Sequence, residues 1–162
     1  MSNTEPQALS GRQDFARAAR ELAAGARRSI DLLSFQLEQE AYGDPDFINP
    51  VKRLLLDSPT ARLRVLINQP RLAIGRGHAL IELGRHLTSQ IEFRELLPER
   101  CHDCRGEILI VDQHALLIRR EQGDLDSTLW AQAGGLGRQK SEYFETIWAE
   151  SPPAGDLRSL SI

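Results

Sequence analysis

Two unbroken apolar runs, Ile108 to Val111 and Ala115 to Ile118, are separated only by Asp112-Gln113-His114. A polar break this short makes a tight hairpin turn. Neither run alternates with polar residues, so strands built from them must be covered on both faces. A chain containing such a hairpin is pushed toward a layered α/β fold, with this pair of strands at its centre.

The flanking sequence supplies layers of the right kind. Ser10 and Gln13 have the spacing of a capping box, and Phe15, Ala18, Ala19, Leu22 and Ala26 then recur at helical intervals. Ser29 to Leu37 reads as an inner strand, and Asp44-Pro45 as a cap followed by a first helical residue. The helix that follows carries Phe47, Val51, Leu54 and Leu55, and Pro59 lies beyond its end. Arg62 to Ile67 predicts a second strand, Gly75 to Ser89 a helix with Leu80, Leu83, Gly84 and Leu87 on one face, and Ile91 to Leu96 a third strand. After the hairpin, Tyr143, Phe144, Ile147 and Trp148 form the apolar stripe of a closing helix. The expected fold is therefore α/β, a mixed sheet flanked by helices on both faces.

At 162 residues the chain fits one domain with a sizeable core, and 41% hydrophobic with 27% charged residues is a globular balance. We expect a single domain over 10–151, with loose tails at 1–9 and 152–162. No apolar run approaches the roughly 20 residues needed to span a bilayer, and the first residues lack the apolar core of a signal peptide. Two cysteines suit a reducing compartment, so the expected location is cytoplasmic. A net charge of -3 provides no global field for polyanions, and nucleic acid is not the favoured partner.

The hairpin and its entry resemble the strand-turn-strand of the phospholipase D superfamily. The active motif there is His, any residue, Lys, four residues and Asp, followed by an apolar strand. Asp112 stands at the Asp position, Glu107 at that of Lys and Arg105 at that of His. The order of elements over Arg12 to Glu150 is similar to one half of that fold. In such enzymes the His attacks phosphorus, the Lys neutralises phosphate oxygens and the Asp helps to orient the apparatus. A guanidinium keeps its proton and cannot attack. A carboxylate at the Lys position repels the charge that must be stabilised there. Family members usually continue with Gly-Ser and an Asn, whereas this chain has Arg119-Arg120-Glu121-Gln122-Gly123.

The resemblance thus implies a non-catalytic module that binds a protein or a phosphate-containing ligand, without a cofactor. Arg105, Asp112 and Arg119 would line what is left of the pocket, and a homodimer would use the face where two halves normally meet. One alternative is a dimeric phosphodiesterase or nuclease in which His102 or His114 is the nucleophile. Another is a zinc-stabilised interaction domain, since the Cys101-His102-Asp103-Cys104 spacing can present two sulfurs to one metal. Gly134-Gly135-Leu136-Gly137-Arg138 reads as a connector rather than a phosphate cradle, and the charges of Arg71 to His78 as solvated.

Overall fold

A computed structural model describes residues 5–74 and 77–158. Seven strands form one mixed sheet: β1 (Gln7–Ser10), β2 (Ser29–Ser34), β3 (Arg62–Ile67), β4 (Ile91–Glu95), β5 (Glu107–Val111), β6 (Ala115–Arg119) and β7 (Asp126–Trp130). Eight helices accompany them: α1 (Arg12–Ala24), α2 (Gln39–Tyr42), α3 (Pro45–Asp57), α4 (Pro70–Ile74), α5 (Ala79–His86), α6 (Pro98–Cys101), α7 (Gly135–Glu150) and α8 (Gly155–Arg158). The spatial order is β1-β7-β6-β5-β2-β3-β4. β2, β3 and β4 run parallel, which requires the crossovers that α3 and α5 provide. β5 turns antiparallel against β2, and β6, β7 and β1 continue antiparallel outward.

The pattern of side chains explains the two layers. On β2, Ile30 and Leu32 face α1, α3 and α5, together with Leu63, Val65 and Ile67 of β3 and Leu109 and Val111 of β5. The alternate positions, Leu33, Leu66, Ile110 and Leu116, pack on Phe144, Ile147 and Trp148 of α7. All six β2 residues are buried, as expected of a strand covered on both faces.

A buried ion pair sits on the α7 side of the sheet. Asp31 and Arg64 are register partners on β2 and β3, and their side chains meet on the α7 face. Arg64 Nε donates to Asp31 Oδ1 at 2.9 Å and Nη2 to Oδ2 at 3.2 Å. The same guanidinium reaches Glu145 of α7 at 3.1 Å and lies over the Phe144 and Trp148 rings at 5.1 and 5.2 Å. It therefore ties the closing helix to two inner strands at once.

Several boundaries differ from the sequence reading. Gly11, with φ of 91°, is the N-cap of α1 and Ser10 belongs to β1, so the capping box does not form. Asp44 does cap α3, accepting from Asp46 N at 2.8 Å. Gln7 to Ser10 is not a loose tail, because it pairs with β7. Ala154 and Leu157 are buried against the core, and Ala154 N donates to Phe93 O at 3.0 Å, so part of 152–162 is also fastened. Gly135 to Arg138 is the first turn of α7 rather than a connector. Gly75 and Arg76, part of the predicted helix and of the Arg71 to His78 stretch, lie outside the described residues.

Arg64→Met leaves Asp31 charged and unpaired inside the sheet, and removal of one partner from a buried pair costs about 3–5 kcal/mol. Urea denaturation should show a loss of that size, and the double variant Asp31→Leu/Arg64→Met should recover most of it. A single variant within about 1 kcal/mol of the parent contradicts this role.

Candidate functional site: a filled pocket at the head of β5

Glu107, Arg119 and Gly106 define the motif end of the sheet. Glu107 opens β5 and is 1% exposed, and Arg119 closes β6 directly opposite it at 3% exposure. Gly106 is required between Arg105 and Glu107, because a Cβ there would lie 2.1 Å from Arg119 O. Strand alternation places Glu107 on the same face as Leu109 and Val111, in the layer of α1 and α2.

The chain's own donors meet it there. Tyr42 OH donates to Glu107 Oε1 at 2.7 Å, and Phe35 N donates to Oε2 at 2.9 Å. Tyr42 is fully buried and makes edge contacts with Phe15 and Phe47. Arg119 lies over the Phe15 ring at 4.4 Å and donates from Nη2 to Glu38 Oε2 at 2.7 Å. Carboxylate, phenol and guanidinium thus form one internal network across β2, α2, β5 and β6. Burial pushes the Glu107 carboxyl up to about 7, against the Phe35 amide, the Tyr42 hydroxyl and the Arg119 charge, which favour ionisation. Burial, followed by the nearby Glu107 charge, raises Tyr42 well above the usual phenol value.

The three motif positions do not converge. Glu107 and Asp112 are separated by the length of β5, about 17 Å at roughly 3.4 Å per residue. Arg105 stands at the mouth of the network, part exposed, pairing through Nε with Glu121 at 2.7 Å and lying over the Phe35 ring at 5.3 Å. Asp112 sits at the other end of the strand, where its carboxylate accepts from Arg27 N at 2.9 Å, Arg28 N at 2.7 Å and Ser29 N at 3.0 Å. Asp112 and Gln113 have φ of 54° and 66°, and His114 N donates to Val111 O at 3.1 Å. The register pairs Val111 with Ala115, so Asp112, Gln113 and His114 form a three-residue hairpin loop whose first two residues lie in the left-handed region that usually takes Gly or Asn. The three amide bonds to Asp112 oppose the strain of a left-handed backbone without glycine.

The other candidates are dispersed. Cys104 Sγ points into the α7 layer, 3.2 Å from Tyr143 OH, and Cys101 Sγ faces Leu97 O at 3.6 Å. His102 is exposed at the end of α6. Among the described residues no group of three His, Cys, Asp or Glu is placed to hold a metal, so the structure does not gather Cys101, His102 and Cys104 into a zinc site. Asn68 instead fixes this turn by donating to Cys101 O at 2.9 Å and Cys104 O at 2.8 Å. His114 belongs to the Asp112 end of the sheet, with Nδ1 3.1 Å from Asp112 O. Glu38 and Tyr42, which complete the network, carry no local sequence signal, since they lie 81 and 65 residues from their partners.

A carboxyl held near 7 in the fold, against an ordinary value of 4.5 in the unfolded chain, binds its proton more tightly when folded. Its favourable contribution is complete below the unfolded value and is lost as pH rises through about 7. The full loss is roughly 3 kcal/mol, at about 1.4 kcal/mol per pH unit. Chemical denaturation on either side of this window should show the parent losing stability toward alkaline pH and Glu107→Gln losing much less. Equal pH dependence of the two proteins contradicts the assignment.

Residues 11–160 match the model of a family described as a domain of unknown function, DUF7931. No curated protein matches the sequence. Among solved structures, TrmBL2, described as an archaeal chromatin protein with a novel mode of DNA binding, is similar with a TM-score of 0.68 at 15% identity, over 95% of this chain and 55% of its own. Nuc from Salmonella typhimurium, described as a phospholipase D family member, gives 0.61 at 13% identity, over 92% of this chain and 98% of its own. Phosphatidylserine synthase from Haemophilus influenzae gives 0.60 at 10% identity, and this chain spans 41% of its length. The fold is thus phospholipase D-like, and the chain belongs to the DUF7931 family.

Proposed function

We propose that this chain is a non-catalytic phospholipase D-like module that works by binding. The observation that supports this most directly is Glu107, an acidic side chain at the position where the resembling motif carries its phosphate-neutralising cation, with each oxygen engaged by a donor of the same chain. Phosphoryl transfer needs positive charge aimed at the developing negative charge. The network offers the reverse, since Arg119 is committed to Glu38 and Arg105 to Glu121. A homodimer through the motif end is the assembly that accompanies this reading.

The ligand we favour is DNA. The specific observation is the likeness to TrmBL2, which spans nearly the whole of this chain and is described as a chromatin protein that binds DNA. With a net charge of -3, affinity would have to come from a local basic surface rather than a global field.

The test is incubation of the purified protein with bis(p-nitrophenyl) phosphate and with DNA, with and without divalent metals. We expect no turnover above buffer and no phosphohistidine. Hydrolysis that disappears in His102→Ala or His114→Ala would overturn the proposal and establish the phosphodiesterase reading.

A further inference from the structure

The end of the sheet away from Glu107 carries charge that the network does not use. Asp112 holds the backbone of Arg27 and Arg28 beside the hairpin turn, and Arg62 N donates to Arg28 O at 3.2 Å. On the other side of the turn, Gly137 of α7 packs against it so closely that a Cβ would lie 3.0 Å from Gln113 O. Arg138 follows directly and, with His114, lines a groove of about 720 Å³. Arg27, Arg28 and Arg138 are exposed, and none has a carboxylate partner among the described residues. The acids nearby are fewer: Glu145 is shared between Arg64 and Arg62, leaving Glu142 as the unpaired carboxylate of the groove.

We propose that this surface, Arg27, Arg28 and Arg138 around the Asp112 turn, holds the phosphate backbone of duplex DNA. The proposal rests on the reading above that the chain binds DNA, and adds where it does so and by which contacts. Arg138 lines the groove, and Arg27 and Arg28 stand beside the same turn through their backbone bonds to Asp112; Arg is suited to paired hydrogen bonding with phosphate oxygens. Single strands are bound through aromatic stacking platforms as well as charge. The described lining of this groove contains no Phe, Tyr or Trp, so the chemistry matches backbone contacts to a duplex rather than stacking on bases. The turn is also rigidly built, with Asp112 fixing the amides of Arg27, Arg28 and Ser29 from below. Binding of this kind is indifferent to sequence and strongly dependent on salt.

The experiment is fluorescence anisotropy of a labelled duplex of arbitrary sequence across a salt series. Three phosphate contacts predict that log K falls against log salt with a slope of about -3, from roughly -0.9 per contact. The variant Arg27→Gln/Arg28→Gln/Arg138→Gln should lose at least about 10-fold in affinity and most of that slope, with an unchanged circular dichroism spectrum. The variant Lys52→Gln/Arg53→Gln, on the exposed side of α3, should bind like the parent. Loss in that second variant instead would overturn the surface while leaving a DNA-binding module. Absence of duplex binding at low salt would overturn both the surface and the choice of DNA, leaving the non-catalytic reading to the hydrolysis assay. Preference for a labelled single strand, or displacement of the duplex by polyglutamate at equal charge, would overturn the assignment to a duplex backbone.

Discussion

The contact on which the motif end depends is the carboxylate of Glu107 held between the Tyr42 hydroxyl and the Phe35 amide. A buried carboxylate left without donors is far costlier than a neutral residue, so the surroundings must supply them or the fold rearranges. Supplying them draws together the end of β2, the one-turn helix α2 and the head of β5. Gly106 and Arg119 follow from the same geometry, the one by allowing the strands to close and the other by setting a cation beside the anion. The head of β5 is therefore occupied by polar groups of the chain itself, with a donor on each oxygen of Glu107.

The three positions of the motif have separate fates because they do separate physical work. Asp112 is tied to backbone amides rather than to a ligand, and its job of holding the start of β2 is needed whether or not chemistry occurs. Arg105 stands part exposed at the mouth and is balanced by Glu121. The Asp31, Arg64 and Glu145 cluster anchors α7 on the other face and leaves the motif end untouched. The contacts that hold the frame are thus spread over both faces of the sheet and both ends of β5.

Much of this was legible in the sequence. The central hairpin, the parallel strands and the closing helix follow from local periodicity, and Asp44-Pro45 marks its helix start correctly. β1 and β7 were not visible, because Gln7 to Ser10 and Asp126 to Trp130 are short and partly polar; β1 becomes a strand only by pairing with β7 more than 100 residues away, and β7 by lying between β1 and β6. At the site, the substitutions at 105 and 107 were readable as chemistry, but the partners were not. Glu38 and Tyr42 meet Arg119 and Glu107 only after folding, and nothing in their own neighbourhoods announces it. The burial of Arg119 was hidden for the same reason, since the run Arg119-Arg120 looks like a solvated strand end.

The claim that Glu107 and its donors close the pocket is tested most directly by NMR. The protein would carry a carbon label in its glutamate carboxyl groups, and vanadate or phosphate would be added while the Glu107 signal and the Phe35 amide are followed. The account predicts that neither resonance moves beyond a general ionic-strength effect, because their hydrogen-bonding partners are already within the chain. A saturable shift of both, with the anion displacing Tyr42 from the carboxylate, would contradict it and show that the motif end binds the anion.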